Sequence, residues 1–217
     1  MLEVRITPDG LPPWGAALAA ALAALLTRSV AMGVLAGKPV TRLDGAVVKR
    51  LASALQRHGI GAEAGVILAP LAAEPAQAID AATERRVADG LHRLSEALEA
   101  SATPGTEWPA MRGVFGDEML VELLGVGASS LRRYAGGERA TPDDVAARLH
   151  WLAMVVADLA GAYNDFGIRR WFERPRSQLD GKSPRQVLGT AWTPEDAAAA
   201  RVRALAAVLS GAQPLAA

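Results

Sequence analysis

Residues 119–142, MLVELLGVGASSLRRYAGGERATP, constrain the fold more than any other stretch of the chain. Leu120, Leu123 and Leu124 recur at the spacing of one helix face. Gly125 breaks that helix, Val126 and Leu131 lock a second short helix against it, and Gly136 and Gly137 end it. Thr141, Pro142, Asp143 and Asp144 then read as a new start, with threonine as cap, proline in the first turn and two acids at the positive helix end. Helix, tight turn and short helix in this order spell a helix-turn-helix. Two amphipathic helices around a glycine also suit an ordinary helical core, and that alternative stays open.

The rest of the chain reads as helix with few exceptions. Residues 2–7 alternate apolar and polar side chains, which predicts a short strand closed by a turn at Pro8, Asp9 and Gly10. Pro12 and Pro13 stand where a helix can begin. Residues 16–26, AALAAALAALL, are continuously apolar, but Thr27 and Arg28 end the run short of the roughly 20 residues a bilayer demands. A buried, alanine-rich helix is expected there. The acidic residues Glu3 and Asp9 argue against a signal peptide, and a soluble, cytoplasmic chain with no membrane partner is expected.

Leu43, Val47, Leu51 and Leu55 keep a four-residue step that ends at His58 and Gly59. Within residues 75–100, Ile79, Val87, Leu91, Leu94 and Leu98 form another stripe, with Arg85, Arg86, Glu96 and Glu99 outside it. Ser101, Thr103, Pro104, Gly105 and Thr106 mark a linker. The expected fold class is mainly α. Its division is a helical N-terminal domain over 1–105 (with a possible first strand and no assigned role), a helix-turn-helix domain over 106–165, and a helical C-terminal domain over 166–217.

Charge narrows the function classes. Basic and acidic residues balance at 23 each, so coating nucleic acid by bulk charge is excluded and any contact must come from a local patch. The chain has no cysteine, which removes disulfides, thiolate metal sites and a cysteine nucleophile. In a helix-turn-helix the second helix enters the major groove. Ser129, Ser130, Arg132 and Arg133 project outward from it, and Arg139 follows in a loop able to reach the backbone. Arginine suits the task because its planar fork binds guanine or phosphate through two hydrogen bonds. Gly127 and Ala128 stand where such modules usually place a serine or threonine cap, which leaves fewer polar groups. The helix expected from Thr141 to about Tyr163 carries Val145, Leu149, Leu152, Val155, Val156 and Leu159, enough to pack on two sides or across a dimer axis. His150 on that helix reads as a surface or hydrogen-bonded core residue.

Residues 168–188 follow, IRRWFERPRSQLDGKSPRQVL. Trp171 and Phe172 supply apolar area to anchor a turn. Leu179, Asp180, Gly181 and Lys182 allow a tight bend at the glycine. Ser183 and Pro184 start a helix that buries Val187 and Leu188. Six basic residues between Arg169 and Arg185 face only Glu173 and Asp180, an excess suited to DNA phosphate, to an acidic partner or simply to solvent. Trp171, Phe172, Pro175, Leu179, Gly181, Ser183, Pro184 and Leu188, placed after a helix-turn-helix, make residues 117–209 resemble the Xre/MbcA/ParS-type antitoxins. The N-terminal hundred residues lie outside the resemblance. It implies a C-terminal region that binds a RES-domain, NAD-consuming toxin, and a repressor of its own toxin–antitoxin operon. Trp171, Arg174, Arg176, Lys182 and Arg185 are the partner-binding candidates. The implied partners are a double-stranded DNA operator, the toxin and a second copy of the chain as homodimer.

Enzyme chemistry leaves no trace. There is no paired-histidine zinc motif, phosphate loop or nucleophile elbow, and His58, His92 and His150 are scattered. No catalytic residue, metal or cofactor is expected. A stand-alone helix-turn-helix regulator and a helical adaptor that does not touch DNA are the competing readings.

Overall fold

The computed structural model describes residues 4–7 and 10–209. Leu2, Glu3, Pro8 and Asp9, on which the expected strand and turn partly fall, lie outside them. The chain is mainly α-helical, with ten α-helices among the described residues. It divides into two compact units between Ala102 and Thr103.

The N-terminal unit holds α1 (Ala16–Ala31), α2 (Gly45–Arg57), α3 (Ala64–Leu68) and α4 (Ala81–Glu99). α1 is the alanine-rich segment; it packs on α4 and buries Leu18, Leu22, Leu25 and Leu26. Val47, Leu51 and Leu55 of α2 are buried as their four-residue step predicts, and Gly59 turns left-handed (φ 67°) just beyond the helix. Asp44 caps α2 by accepting from Val47 N at 2.9 Å. Asp80 caps α4 by accepting from Ala82 N and Thr83 N, so α4 starts at Ala81 and Ile79 stands before the helix, not in its stripe. Of the strand expected over 2–7, the described residues show an isolated parallel bridge, Val4 to Val40, with Arg5 N and Thr7 N donating to the Val40 and Thr41 carbonyls at 2.8 and 3.1 Å.

The second unit holds α5 (Pro104–Leu124), α6 (Ala128–Ala135), α7 (Asp143–Ala160), α8 (Asp165–Glu173), α9 (Pro184–Leu188) and α10 (Ala197–Leu209). Residues 106–165 and 166–209, assigned to separate domains from sequence, lie in this one unit. Pro104 opens α5, so the linker is shorter than its composition suggests. Gly116 (φ 73°, ψ 167°) breaks α5 into two limbs. Arg169 donates to the Val114 carbonyl at 2.6 Å, satisfying an acceptor that the break frees from the helix ladder.

α7 is the centre of this unit. Every residue from Arg148 to Leu159 is buried, and α5, α8 and α10 pack around it. A helix covered on all sides belongs to a core. Its apolar stripe is consumed inside the unit and leaves no free face for a dimer axis. Asp143 and Asp144 lie in its first turn as expected, and one correction concerns its cap. The N-cap is Pro142, and Thr141 instead accepts a hydrogen bond from Trp108 Nε1 at 2.9 Å. Asp144, beyond facing the helix N-terminus, pairs with Arg148 one turn on. His150 proves a hydrogen-bonded core residue: its Nδ1 lies 2.6 Å from Oε1 of Glu107, which is fully buried. No single helix among the described residues is long and apolar enough to cross a membrane.

Candidate functional site

The second limb of α5, residues 117–124, is the first helix of the expected module. Met119, Leu120, Leu123 and Leu124 are buried along it, three of them in the spacing read from sequence. Gly125 ends the limb in the left-handed region (φ 64°, ψ 34°). Only glycine suits this position, for two independent reasons. The backbone angle penalises any Cβ, and a Cβ built here falls 2.0 Å from the Thr190 carbonyl oxygen. Val126 is half-buried in the turn, and Gly127 is an extended N-cap without a side chain to donate to.

α6 divides cleanly by face. Leu131 and Tyr134 are buried, and the Tyr134 ring stacks on Trp108 with centroids 6.2 Å apart. Ser129, Arg132 and Arg133 are exposed and Ser130 is half-buried. Neither Arg132 nor Arg133 forms an ion pair among the described residues. The nearest competitor, Asp117, is gripped by Arg112 through two hydrogen bonds of 2.7 and 2.9 Å. Arg112 holds the Asp117 carboxyl below its usual range, and Arg132 contributes least to that shift. The carboxylate is therefore spent elsewhere. Arg139 follows the left-handed Gly137 (φ 73°), and its guanidinium sits 5.7 Å from the Tyr134 ring centroid, exposed. Three cations thus border one small helix whose other face is anchored.

The expected partner residues fare differently. Trp171 is not a surface residue: it is 1% exposed, edge-on to Phe172 at 5.2 Å, because its ring fills the core beneath α8. Arg176 lies over that ring at 4.7 Å and is half-buried. Arg174 and Lys182 are exposed. Arg185 is tied to Glu122 of α5 at 2.8 Å, which makes it a brace between two elements. Asp180 and Gly181 take left-handed angles (φ 57° and 74°) at the bend, and Ser183 with Gln186 forms a capping box for α9.

Sequence reading passed over the residues that fasten the module. Trp192 is buried, donates from Nε1 to the Leu123 carbonyl at 2.7 Å, and packs edge-on against Trp151 at 4.7 Å. It thus satisfies a carbonyl at the open end of the module's first helix. Arg148, also buried, donates to the Thr190 carbonyl at 3.4 Å. A partial signal was available: Thr193, Pro194, Glu195 and Asp196 match a helix-start pattern, and Thr193 N does donate to Asp196 at 2.8 Å. Glu107 carried no signal, lying between Thr106 and Trp108 like any exposed acid. Comparison with protein-family models, with curated proteins and with solved structures finds no match to this chain.

Proposed function

We propose that this chain is a DNA-binding, antitoxin-like repressor similar to the Xre/MbcA/ParS type. It acts in the cytoplasm, binds a double-stranded operator as a homodimer through α6, and engages a RES-type toxin through its C-terminal region. One observation carries the DNA half: α6 buries Leu131 and Tyr134 and leaves Arg132 and Arg133 exposed without ion-pair partners among the described residues. A short helix held by one face with free guanidinium groups on the other is what major-groove entry demands. Arg139, beyond the helix end, suits a phosphate contact that sets register without reading sequence. Dimerisation follows from the modest affinity of one such reader for a single half-site.

The test is a gel-shift titration on the duplex lying immediately upstream of the chain's own reading frame. Arg133→Ala is expected to weaken specific binding by about 1–3 kcal/mol. A double Arg132→Ala, Arg133→Ala protein that binds as tightly as the parent overturns the assignment. Pull-down with the product of the neighbouring reading frame tests the partner half, and absence of a complex removes it.

A helical adaptor that has lost DNA contact is the second reading. Gly127, an N-cap with no side-chain oxygen, favours it, since serine or threonine there supplies a phosphate contact. Absence of DNA binding even at low salt decides for the adaptor.

A further inference from the structure

We infer that the hairpin of residues 174–182 is a receptor for a carboxylate-bearing segment of a partner protein. Arg176 and Arg174 are its cationic grip, and the exposed ring of Tyr163 is its apolar shelf. The inference rests on the protein-partner half of the reading above and on no part of the DNA half.

The hairpin is built before any partner arrives. Arg176 N donates to the Lys182 carbonyl at 3.1 Å, and Gly181 N returns to the Arg176 carbonyl at 3.0 Å. Arg201 holds the bend from outside, donating to Asp180 Oδ2 at 2.9 Å and to the Gln178 carbonyl at 3.0 Å. Asp180 is thereby removed as an internal partner for the hairpin's cations. Glu173 is exposed but enters no ion pair with Arg174, Arg176 or Lys182 among the described residues.

Arg176 stands out within this frame. Its guanidinium is stacked on Trp171 and half-buried; the Tyr163 side chain hydrogen-bonds it and Arg174 lies close, but no carboxylate acts on it. Burial pulls it below its ordinary value, Tyr163 opposes the shift and Arg174 adds to it. A partly buried cation next to a like charge calls for an outside anion. Two adjacent donors make the same point, since Arg176 Nε and Trp171 Nε1 are both buried without an acceptor. Nearly all buried polar atoms in folded proteins are matched, so an unmatched pair in one stack marks an incomplete site.

Protein chemistry fits this anion better than a free ion or a duplex does. Tyr163, whose side chain acts on Arg176, is 36% exposed. An exposed aromatic ring beside arginine is the composition of protein interface centres. A phosphate backbone offers such a ring nothing apolar to cover. A planar carboxylate matches the guanidinium fork with two parallel hydrogen bonds.

The experiment titrates the full-length protein, nitrogen-labelled, with a blocked peptide of alternating glutamate and leucine. The readout is the indole N–H resonance of Trp171, assigned with Trp171→Phe. A saturable shift is expected, with affinity reduced about tenfold or more in Arg176→Gln and unchanged in Arg132→Ala/Arg133→Ala. Arg174→Gln, at an exposed position, carries the test if Arg176→Gln loses its native fold, and should weaken binding several-fold. No shift with the glutamate peptide overturns the proposal. So does an equal shift with the glutamine version of the peptide or with sodium phosphate at the same concentration. Movement with a short duplex in place of the peptide reassigns the hairpin to nucleic acid and also overturns it. Failure of the Arg132/Arg133 gel shift leaves this result standing, so the two readings fail separately.

Discussion

Asp80 and Asp117 show how single side chains set acid sensitivity. Backbone N–H and hydroxyl donors of Thr83 hold the Asp80 carboxyl below its ordinary value, and Arg112 does the same to Asp117. A folded-state value below the unfolded one means the stabilisation is present above about pH 4 and is lost as pH falls through the lowered value. Asp80→Ala should therefore lower Tm at pH 7, and the gap from the parent should close on acidification below about pH 4. A gap that persists at pH 2 contradicts this. Trp192→Phe keeps the ring beside Trp151 but orphans the Leu123 carbonyl. We expect a loss of about 1–3 kcal/mol in urea unfolding. Capping residues such as Ser183 were readable because their signal lies within four positions of chain. Trp192, Arg148 and Glu107 were not, because their partners Leu123, Thr190 and His150 lie 69, 42 and 43 residues away. A buried acid and an exposed acid look alike in a sequence until the fold supplies a His150.

Among the helices, strong periodicity was the reliable guide. The stripe of α2, the apolar run of α1 and the two helices flanking Gly125 all arise from spacings of three and four, which local sequence states outright. Helix ends were harder. Thr141 reads as a cap by composition, but tertiary packing gives its hydroxyl to Trp108 and shifts the N-cap to Pro142. Glycines separate the two kinds of turn experimentally. Gly125→Ala meets both a left-handed angle and the Thr190 carbonyl at 2.0 Å, so a loss of about 2 kcal/mol or more is expected. Gly113→Ala lies within α5 with open space around its Cβ and should gain about 0.5–1 kcal/mol. Urea denaturation of the pair checks both signs. Equal effects would mean the turn at Gly125 has neither constraint.

Two compact units divided between Ala102 and Thr103 predict that protease nicks the intervening residues first and that residues 103–217 keep their helical signal when expressed alone. A fragment that is unfolded by circular dichroism contradicts that independence. The three-part division read from composition placed its first boundary close to this point, where proline, glycine and hydroxyl residues cluster. Its second boundary falls within one unit, because α7 packs against α5 before it and against α8 and α10 after it. No local pattern announces such wrapping. The balance of charge also acts at this level. Under the proposed function, with no net field to draw DNA, the affinity would reside in a few guanidinium groups and titrate with salt accordingly. Fluorescence anisotropy of the upstream duplex across 50–200 mM salt, comparing the parent with Arg132→Ala/Arg133→Ala, measures this. The parent should show a linear fall of log affinity with log salt, and the variant a weaker affinity at every salt concentration, as the loss of base-reading arginines requires. Identical affinities for the two proteins would contradict the assignment of α6 as the DNA-reading helix.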